Sequence, residues 1–234
     1  MQVTLEKTEE VALNTRTFWF RPERPLDYVA GQYIEMSLPH QGADDRGTKR
    51  WFTLSSSPSE PLLSMTTKKA VDRMSTFKQT LFGLSIGTQV TMSEAMGDFV
   101  LPKDTTIPLV FVAGGIGITP MRSMVKWLTD QGERRQIHVI YGARQLEDVA
   151  FQDLFQNYGA QFDIVLSDQV AGWSGRTGRL SAELILDIAG KTSEQLYYVS
   201  GPEPLTEALE ADLGKAGIAH NKLVLDFFPG YPLP

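Results

Sequence analysis

At about residue 102 the hydrophobic pattern of this chain changes its period, so the chain has to fold as two differently built halves. Up to residue 101 apolar residues recur at every second position. In QYIEMSLP, Ile34, Met36 and Leu38 alternate with Tyr33, Glu35 and Ser37, the pattern of a half-buried strand. TRTFWF, RWFTLSSS, LLSMTTK and TQVTMSE are β-rich runs of similar length, set apart by turn signals such as RPERP, HQGADDRG and SPSEP. Many short strands at that spacing predict a sandwich or a barrel. One helix interrupts them, MSTFKQTLF, with Met74, Phe77 and Leu81 on one face.

After Lys103 strands alternate with helices. IPLVFVA is a continuous apolar run of the kind a parallel strand buried on both faces requires. PMRSMVKWLTDQG follows, with Met121, Met124, Val125 and Leu128 as a helical stripe ending near Gly132. Strand candidates QIHVIY, FDIVLS, LYYVS and KLVLDF then alternate with helix candidates LEDVAFQDLF, SAELILDIA and PLTEALEADLGKAG. That order predicts an open, doubly wound parallel sheet. The expected domains are 1–102 and 103–234.

Composition removes several classes of chemistry. The chain has no cysteine, which excludes disulfides, thiolate zinc sites, a cysteine nucleophile and a cysteine-held iron-sulfur cluster. His40, His138 and His220 lie far apart without the carboxylate spacing of a metal site, so no metal is expected. A net charge of -6 argues against nucleic acid as a partner. MQVTLEKTEEV lacks a basic segment followed by an apolar stretch, and the longest apolar run is broken by glycine and proline. A soluble, cytoplasmic protein without membrane insertion is expected.

Between the first strand and first helix of the second half stands VAGGIGITPM, residues 112–121. Gly114, Gly115 and Gly117 let the backbone turn sharply and approach a ligand, Thr119 suits a helix cap and Pro120 a first helical position. A helix N-terminus reached this way favours a dinucleotide pyrophosphate. The motif is not GxGxxG, and Gly142, Ala143 and Arg144 stand where an acidic ribose ligand is expected. A glycine turn that serves only helix-strand packing remains the alternative.

A second stretch, RWFTLSSSP at 50–58, combines a cation, two aromatics and several hydroxyls, which a half-buried strand does not need. Together with YVAGQYIEMSLP (28–39), TKKAV (67–71), RMSTFKQTL, EAMGDFVL (94–101), GGIGITPM, YGAR followed by EDVAF, WSGRTGRL, VSGPEPL and DFFPGY, it gives the chain an ordered resemblance to the ferredoxin-NADP reductase superfamily. The resemblance covers nearly the whole sequence. It implies an N-terminal antiparallel β-barrel of Greek-key type that binds flavin, followed by an α/β domain with a doubly wound parallel sheet that binds NAD(P) and ends in an aromatic tail.

Residue by residue, RWFT resembles the family's Arg-x-Tyr-(Ser/Thr) flavin signature. Arg50 stands at the flavin phosphate, Trp51 at the variable position, Phe52 at the stacking tyrosine without its phenol, and Thr53 at the isoalloxazine N5 edge. Thr67, Lys68 and Lys69 lie on the strand beside the ring. Ser75 and Thr76 stand at the helix start against the pyrophosphate, with Met74 and Arg73 before them where the family usually has glycine. In the second half the resemblance assigns Gly114, Gly115, Gly117, Thr119, Pro120, Arg144, Gly201 and Pro202 to the nicotinamide coenzyme. Ser200 falls where many relatives carry a cysteine near the nicotinamide, and Phe228 and Tyr231 fall near the flavin. A hydrophobic tail packed on the barrel is the plainer reading of Phe227, Phe228 and Tyr231.

The implied activity is hydride transfer from NAD(P)H to FAD and onward electron transfer to a separate acceptor, such as a ferredoxin- or flavodoxin-like carrier, an oxygenase, a quinone or a small molecule. Cofactors carry such chemistry and the protein orients them, with Thr53, Ser200 and Phe228 as the residues nearest the reacting atoms. FAD is favoured over FMN by the motif order. NADH is favoured over NADPH because Asp168 follows Ser167 where NADPH users tend to place a cation; Arg144 and Arg176 pull the other way. A nucleotide-binding or redox-sensing module without turnover is the competing reading.

Overall fold

The computed structural model describes residues 1–69, 74–190 and 194–228, and the side chain of Phe228 lies outside the described residues. Arg73 and Tyr231 lie outside them as well.

The first half is a six-stranded antiparallel sheet made of β1 (Gln2–Ala12), β2 (Thr15–Pro22), β3 (Tyr33–Ser37), β4 (Lys49–Thr53), β5 (Leu63–Lys68) and β6 (Gln89–Met92), in the order β4-β3-β6-β1-β2-β5. It wraps barrel-like around Leu5, Phe18, Ile34, Met36, Leu54 and Met65. Helix α1 (Thr76–Phe82) plugs this core with Phe77 and Leu81. The two edge strands are β4 and β5, so the sheet's open seam lies between the two strands that carry Arg50–Thr53 and Thr67–Lys68. β1 was not legible as a strand. Only Val3 and Leu5 of its first half are buried, Lys7 to Glu10 form a solvated charged run, and its pairing with β2 shifts register twice.

The second half is a six-stranded parallel sheet in the order β10-β9-β8-β7-β11-β12. Its elements are β7 (Leu109–Gly114), α2 (Ile118–Gln131), β8 (Ile137–Ala143), α3 (Gln152–Tyr158), β9 (Gln161–Leu166), β10 (Arg176–Thr177), α4 (Ala182–Ala189), β11 (Leu196–Pro202), α5 (Glu203–Lys215) and β12 (Leu223–Phe228). Alternate residues of β7 feed two cores: Phe111 packs with Met121, Met124 and Leu128 of α2, and Val112 with Ile185 of α4 and Leu209 of α5. Helices therefore cover both faces, the doubly wound arrangement. α2 stops at Gly132 in a left-handed C-cap.

Two local expectations are corrected. LEDVAFQDLF is not one helix: a 3-10 turn over Leu146–Asp148 is separated from α3 by Phe151, whose φ of 62° no helix interior accepts. At α2 the N-cap is Gly117, and Thr119 does not cap; its Oγ1 donates back to the Ile116 carbonyl at 3.0 Å. A 3-10 turn over Gly115–Gly117 leads into the helix and places Pro120 third rather than first.

The halves are packed against each other. Phe99 and Ala30 are buried in the same cluster as Met124 and Tyr198, and the Tyr198 hydroxyl donates to the Val100 carbonyl at 2.7 Å. Lys68 Nζ on β5 pairs with Asp148 at 2.5 Å.

Candidate functional site

Three elements converge at one end of the barrel seam. β4 pairs with β3 so that Arg50 lies opposite Met36 and Phe52 opposite Ile34, both interior positions. Phe52 is accordingly 8% exposed and tilted against Phe77, with centroids 5.9 Å apart. The Arg50 guanidinium lies 5.1 Å from the Phe77 centroid and donates to the carbonyls of Arg46 at 2.7 Å and Lys49 at 2.6 Å. Trp51, on the opposite face of the strand, is 61% exposed beside Tyr33. Thr53 is buried, and its hydroxyl makes no hydrogen bond among the described residues.

Around Arg50 the structure builds a seat for an anion. Ser75 caps α1, its Oγ accepting from the Lys78 N–H at 3.2 Å. The Asp44 carboxylate accepts from the Thr76 N–H at 3.1 Å, from the Arg46 N–H and guanidinium at 3.2 Å each, and from Arg50 at 3.4 Å. Burial works to raise the Asp44 pKa, but the Thr76 and Arg46 donors outweigh it and hold the carboxyl below its ordinary value. Thr76 Oγ1 receives the Asp44 N–H at 3.0 Å and lies 3.0 Å from His40 Nε2. His40 Nδ1 is 2.8 Å from the Leu38 carbonyl, which only accepts, so the proton of a neutral ring sits on Nδ1 and Nε2 accepts from Thr76. Asp44 and His40 are functional candidates that sequence reading missed, since HQGADDRG reads only as a turn. The carboxylate of Asp44 stands in for the negatively charged oxygens such a seat would hold, and by that observation Arg46, Arg50 and the Thr76 N–H fit a phosphate group.

Strand β5, which bears Thr67 and Lys68 and ends just before Lys69, is drawn partly toward the second half. Thr67 is buried, Lys68 is committed to Asp148, and the Lys69 N–H donates to the Asn14 carbonyl. The Met74 carbonyl accepts from Gln79 Nε2 at 3.0 Å, at the α1 entry.

In the second half the three glycines separate into two roles. A Cβ on Gly117 would sit 2.1 Å from the Ser200 carbonyl oxygen, and one on Gly114 would sit 2.3 Å from Leu205, so Gly117 serves close packing against β11 and Gly114 close packing against the start of α5. Gly115 has φ +54° with open space beside it, and it makes the turn that leads to the N-terminus of α2. This turn touches β5 of the barrel as well as β11 and β12. Gly201 and Pro202, at the end of β11, are buried beside it.

Ser200 is fully buried and donates from Oγ to Asp226 Oδ2 at 3.2 Å, across the register pair that joins β11 to β12. Burial pushes the Asp226 carboxyl up to about 6, and the Ser200 hydroxyl only partly offsets that rise. Asp226 was not singled out from sequence, where it reads as one residue of a terminal apolar strand. Phe228 pairs by backbone register with Pro202.

A shallow cleft, open to solvent, lies over the ends of β8 and β9 between Ala143, Ser167, Arg179, Leu180, Pro204 and Ala208. At its margin Arg144 is paired with Asp168 at 3.4 Å, and Arg176 with Asp187 at 2.6 Å. Among the described residues no group of His, Asp and Glu is arranged to hold a metal ion, and no helix is long and apolar enough to cross a membrane.

The family described as oxidoreductase NAD-binding domain matches residues 111–211. A flavohemoprotein of Bacillus cereus is 25% identical over 97% of this chain and 60% of its own length. The stachydrine N-demethylase reductase subunit of Rhizobium meliloti is 26% identical over 94% of this chain and 64% of its own. The chain thus spans a little over half the length of these relatives. Among solved structures, a ferredoxin NADP+ reductase of Neisseria gonorrhoeae with bound FAD and NADP superposes with a TM-score of 0.82 at 16% identity, over 99% of this chain and 98% of that one.

Proposed function

We propose that the chain is a member of the ferredoxin-NADP reductase superfamily and an NAD(P)H-dependent flavoprotein reductase that passes electrons to a separate acceptor. The observation that carries the reading is the contact of the Gly115–Gly117 turn with barrel strand β5, which puts the N-terminus of α2 on the strand that borders the barrel's open seam. Residues 1–102 form the flavin half and 103–234 the coenzyme half.

Arg46, Arg50 and the Thr76 N–H hold the FAD phosphates in place of the Asp44 carboxylate, and Thr53 offers an unpartnered hydroxyl at the end of the same strand as Arg50. FAD, when bound, supplies acceptance of a hydride from NAD(P)H and its onward release as electrons. The coenzyme enters over β8 and β9, where Arg179 in the cleft meets its phosphates and Ala143 and Leu180 its adenine. Asp168 keeps Arg144 paired, and Asp187 keeps Arg176 paired, so neither guanidinium is left over for a 2′-phosphate, and the exposed Asp168 repels one. NADH is therefore the preferred donor. Ser200 and Asp226 lie at the ends of β11 and β12, where Asp226 keeps a proton up to about pH 6 and Ser200 orients it.

The acceptor is a protein of the ferredoxin or oxygenase kind, or a small molecule; these 234 residues contain no cysteine that could hold an iron-sulfur cluster. The test is to purify the protein with excess FAD, identify the retained flavin, and mix it anaerobically with NADH or NADPH. Bleaching of the flavin faster with NADH is expected. Retention of flavin without bleaching by either coenzyme would mean a binding module and would end this reading.

A further inference from the structure

The stretch Ser55–Glu60 begins two residues after Thr53, and none of its polar groups is explained by cofactor binding. We propose that Arg122, with Ser123 and Glu60, is a positioning residue that clamps the loop after Thr53 onto helix α2, and so fixes the flavin strand relative to the coenzyme-binding turn. The inference rests on the functional reading above and deepens it.

Both guanidinium nitrogens of Arg122 pair with Glu60, one of them to Oε1 at 3.0 Å, and Nη1 also donates to the Ser55 carbonyl at 2.8 Å. The two side chains are only 12% and 13% exposed. The guanidinium lies 5.5 Å from the ring of Trp19 on the barrel and 5.9 Å from that of Phe151 on the other half, so an aromatic from each half covers it. Phe151 has a left-handed backbone at that place, with φ 62°. One position on, Ser123 Oγ donates to the Ser56 carbonyl at 2.5 Å, and both serines are fully buried. Two turns further along, Asp130 accepts from Ser57 Oγ at 3.2 Å and from Ser59 Oγ. Positions 122, 126 and 130 share one helical face, and Lys126 pairs with Asp130 to complete it.

The barrel wall beneath is made of hydroxyls rather than hydrocarbon. Thr17 and Thr66 lie 2.8 Å apart, Ser55 and Ser64 2.9 Å, and Ser55 and Thr66 2.9 Å, all buried. Beside the apolar contact of Ala30 and Phe99 with Met124 and Tyr198, this polar part of the interface gives little non-directional adhesion. Here directional, charge-assisted bonds set the orientation, and Arg122 makes three of them. Its helix begins at the Gly115–Gly117 turn and its loop begins at Thr53, so a shift at the clamp is transmitted to both sides of the seam.

Arg122→Gln, Ser123→Ala and Glu60→Gln are compared with the wild-type holoprotein by two readouts. Amide hydrogen exchange at Leu54–Ser57 should accelerate in Arg122→Gln and Glu60→Gln, and the rate of flavin reduction at saturating NADH should fall about 10- to 100-fold with FAD content and NADH affinity within threefold of wild type. Arg122→Lys should recover part of the rate, and the double variant Arg122→Gln/Glu60→Gln should be no slower than the slower single variant. If Arg122→Gln does not fold, Ser123→Ala and Glu60→Gln carry the same comparison. Unchanged exchange together with an unchanged rate overturns the clamp. A wild-type flavin that NADH and NADPH fail to reduce overturns the functional reading instead, and exchange alone then decides whether the clamp holds the loop.

Discussion

Ser200 Oγ and Asp226 Oδ2 meet at 3.2 Å across two parallel strands, which puts a protonatable carboxyl beside a fully buried hydroxyl at the end of the second sheet. The native pKa of Asp226, about 6, stands above its ordinary value of 3.8 because burial disfavours the anion. Well below pH 3.8 the folded and unfolded chains are both protonated there and the group is neutral for stability. Between these two values only the unfolded chain gives up the proton, so stability declines as pH rises, and above about pH 6 the full penalty, on the order of 3 kcal/mol, is present. Asp226→Asn keeps an acceptor for Ser200 and should raise Tm at pH 8, with the gain shrinking toward pH 4. Thermal unfolding of both proteins from pH 4 to 8 checks this; an Asn variant less stable at pH 8 contradicts it.

Asp44 and a phosphate group compete for the same donors. Arg50→Ala should weaken FAD binding about 10- to 100-fold, the loss of a charge-assisted bond to phosphate, while Asp44→Ala should tighten it by removing the internal competitor. Fluorescence titration of apoprotein with FAD measures both. Weaker binding in the Asp44 variant would show that its carboxylate is part of the final site.

Removal of Asp168 should shift coenzyme preference. In Asp168→Ala the Arg144 guanidinium loses its partner at 3.4 Å and becomes available to a 2′-phosphate. The ratio of kcat/KM for NADPH to that for NADH should rise about tenfold, equivalent to about 1.4 kcal/mol. An unchanged ratio would place the 2′-position elsewhere.

The two glycines of the α2 entry should respond differently to alanine. At Gly117 the added carbon meets backbone, the Ser200 carbonyl at 2.1 Å, which cannot move aside without shifting β11. Gly117→Ala should cost about 1–3 kcal/mol of stability. At Gly115 there is space, so Gly115→Ala should cost only the left-handed backbone penalty of about 1 kcal/mol. Chemical denaturation of the two variants makes the comparison.

The legible parts of this chain were those governed by local periodicity. Ile34, Met36 and Leu38 announce β3, the apolar run at Leu109–Gly114 announces a doubly covered strand, and Met121, Met124, Val125 and Leu128 announce α2 through to Gly132. β1 was hidden because its charged residues face solvent over most of its length, and α3 was drawn too long because nothing in the sequence marks Phe151 as left-handed. Those candidate site residues whose types are distinctive, Arg50, Ser75 and the glycine turn, were legible as candidates. Asp44, Asp226 and Arg122 were not, because each acts through a partner 26 or more residues away or through a loop that reads as a plain turn. The three serines after Thr53 have their explanation only once α2 is laid against them.

The central claim is that the barrel seam and the α2 turn bring a flavin and a dihydronicotinamide together for direct hydride transfer. Single-turnover bleaching of the FAD-loaded protein with NADH, deuterated at the transferred C4 position, tests it most directly. The account expects bleaching that slows on deuteration, with deuterium absent from the recovered NAD+. Absence of bleaching, or bleaching indifferent to deuterium under conditions where NADH binding is saturated and chemistry limits the rate, would contradict it.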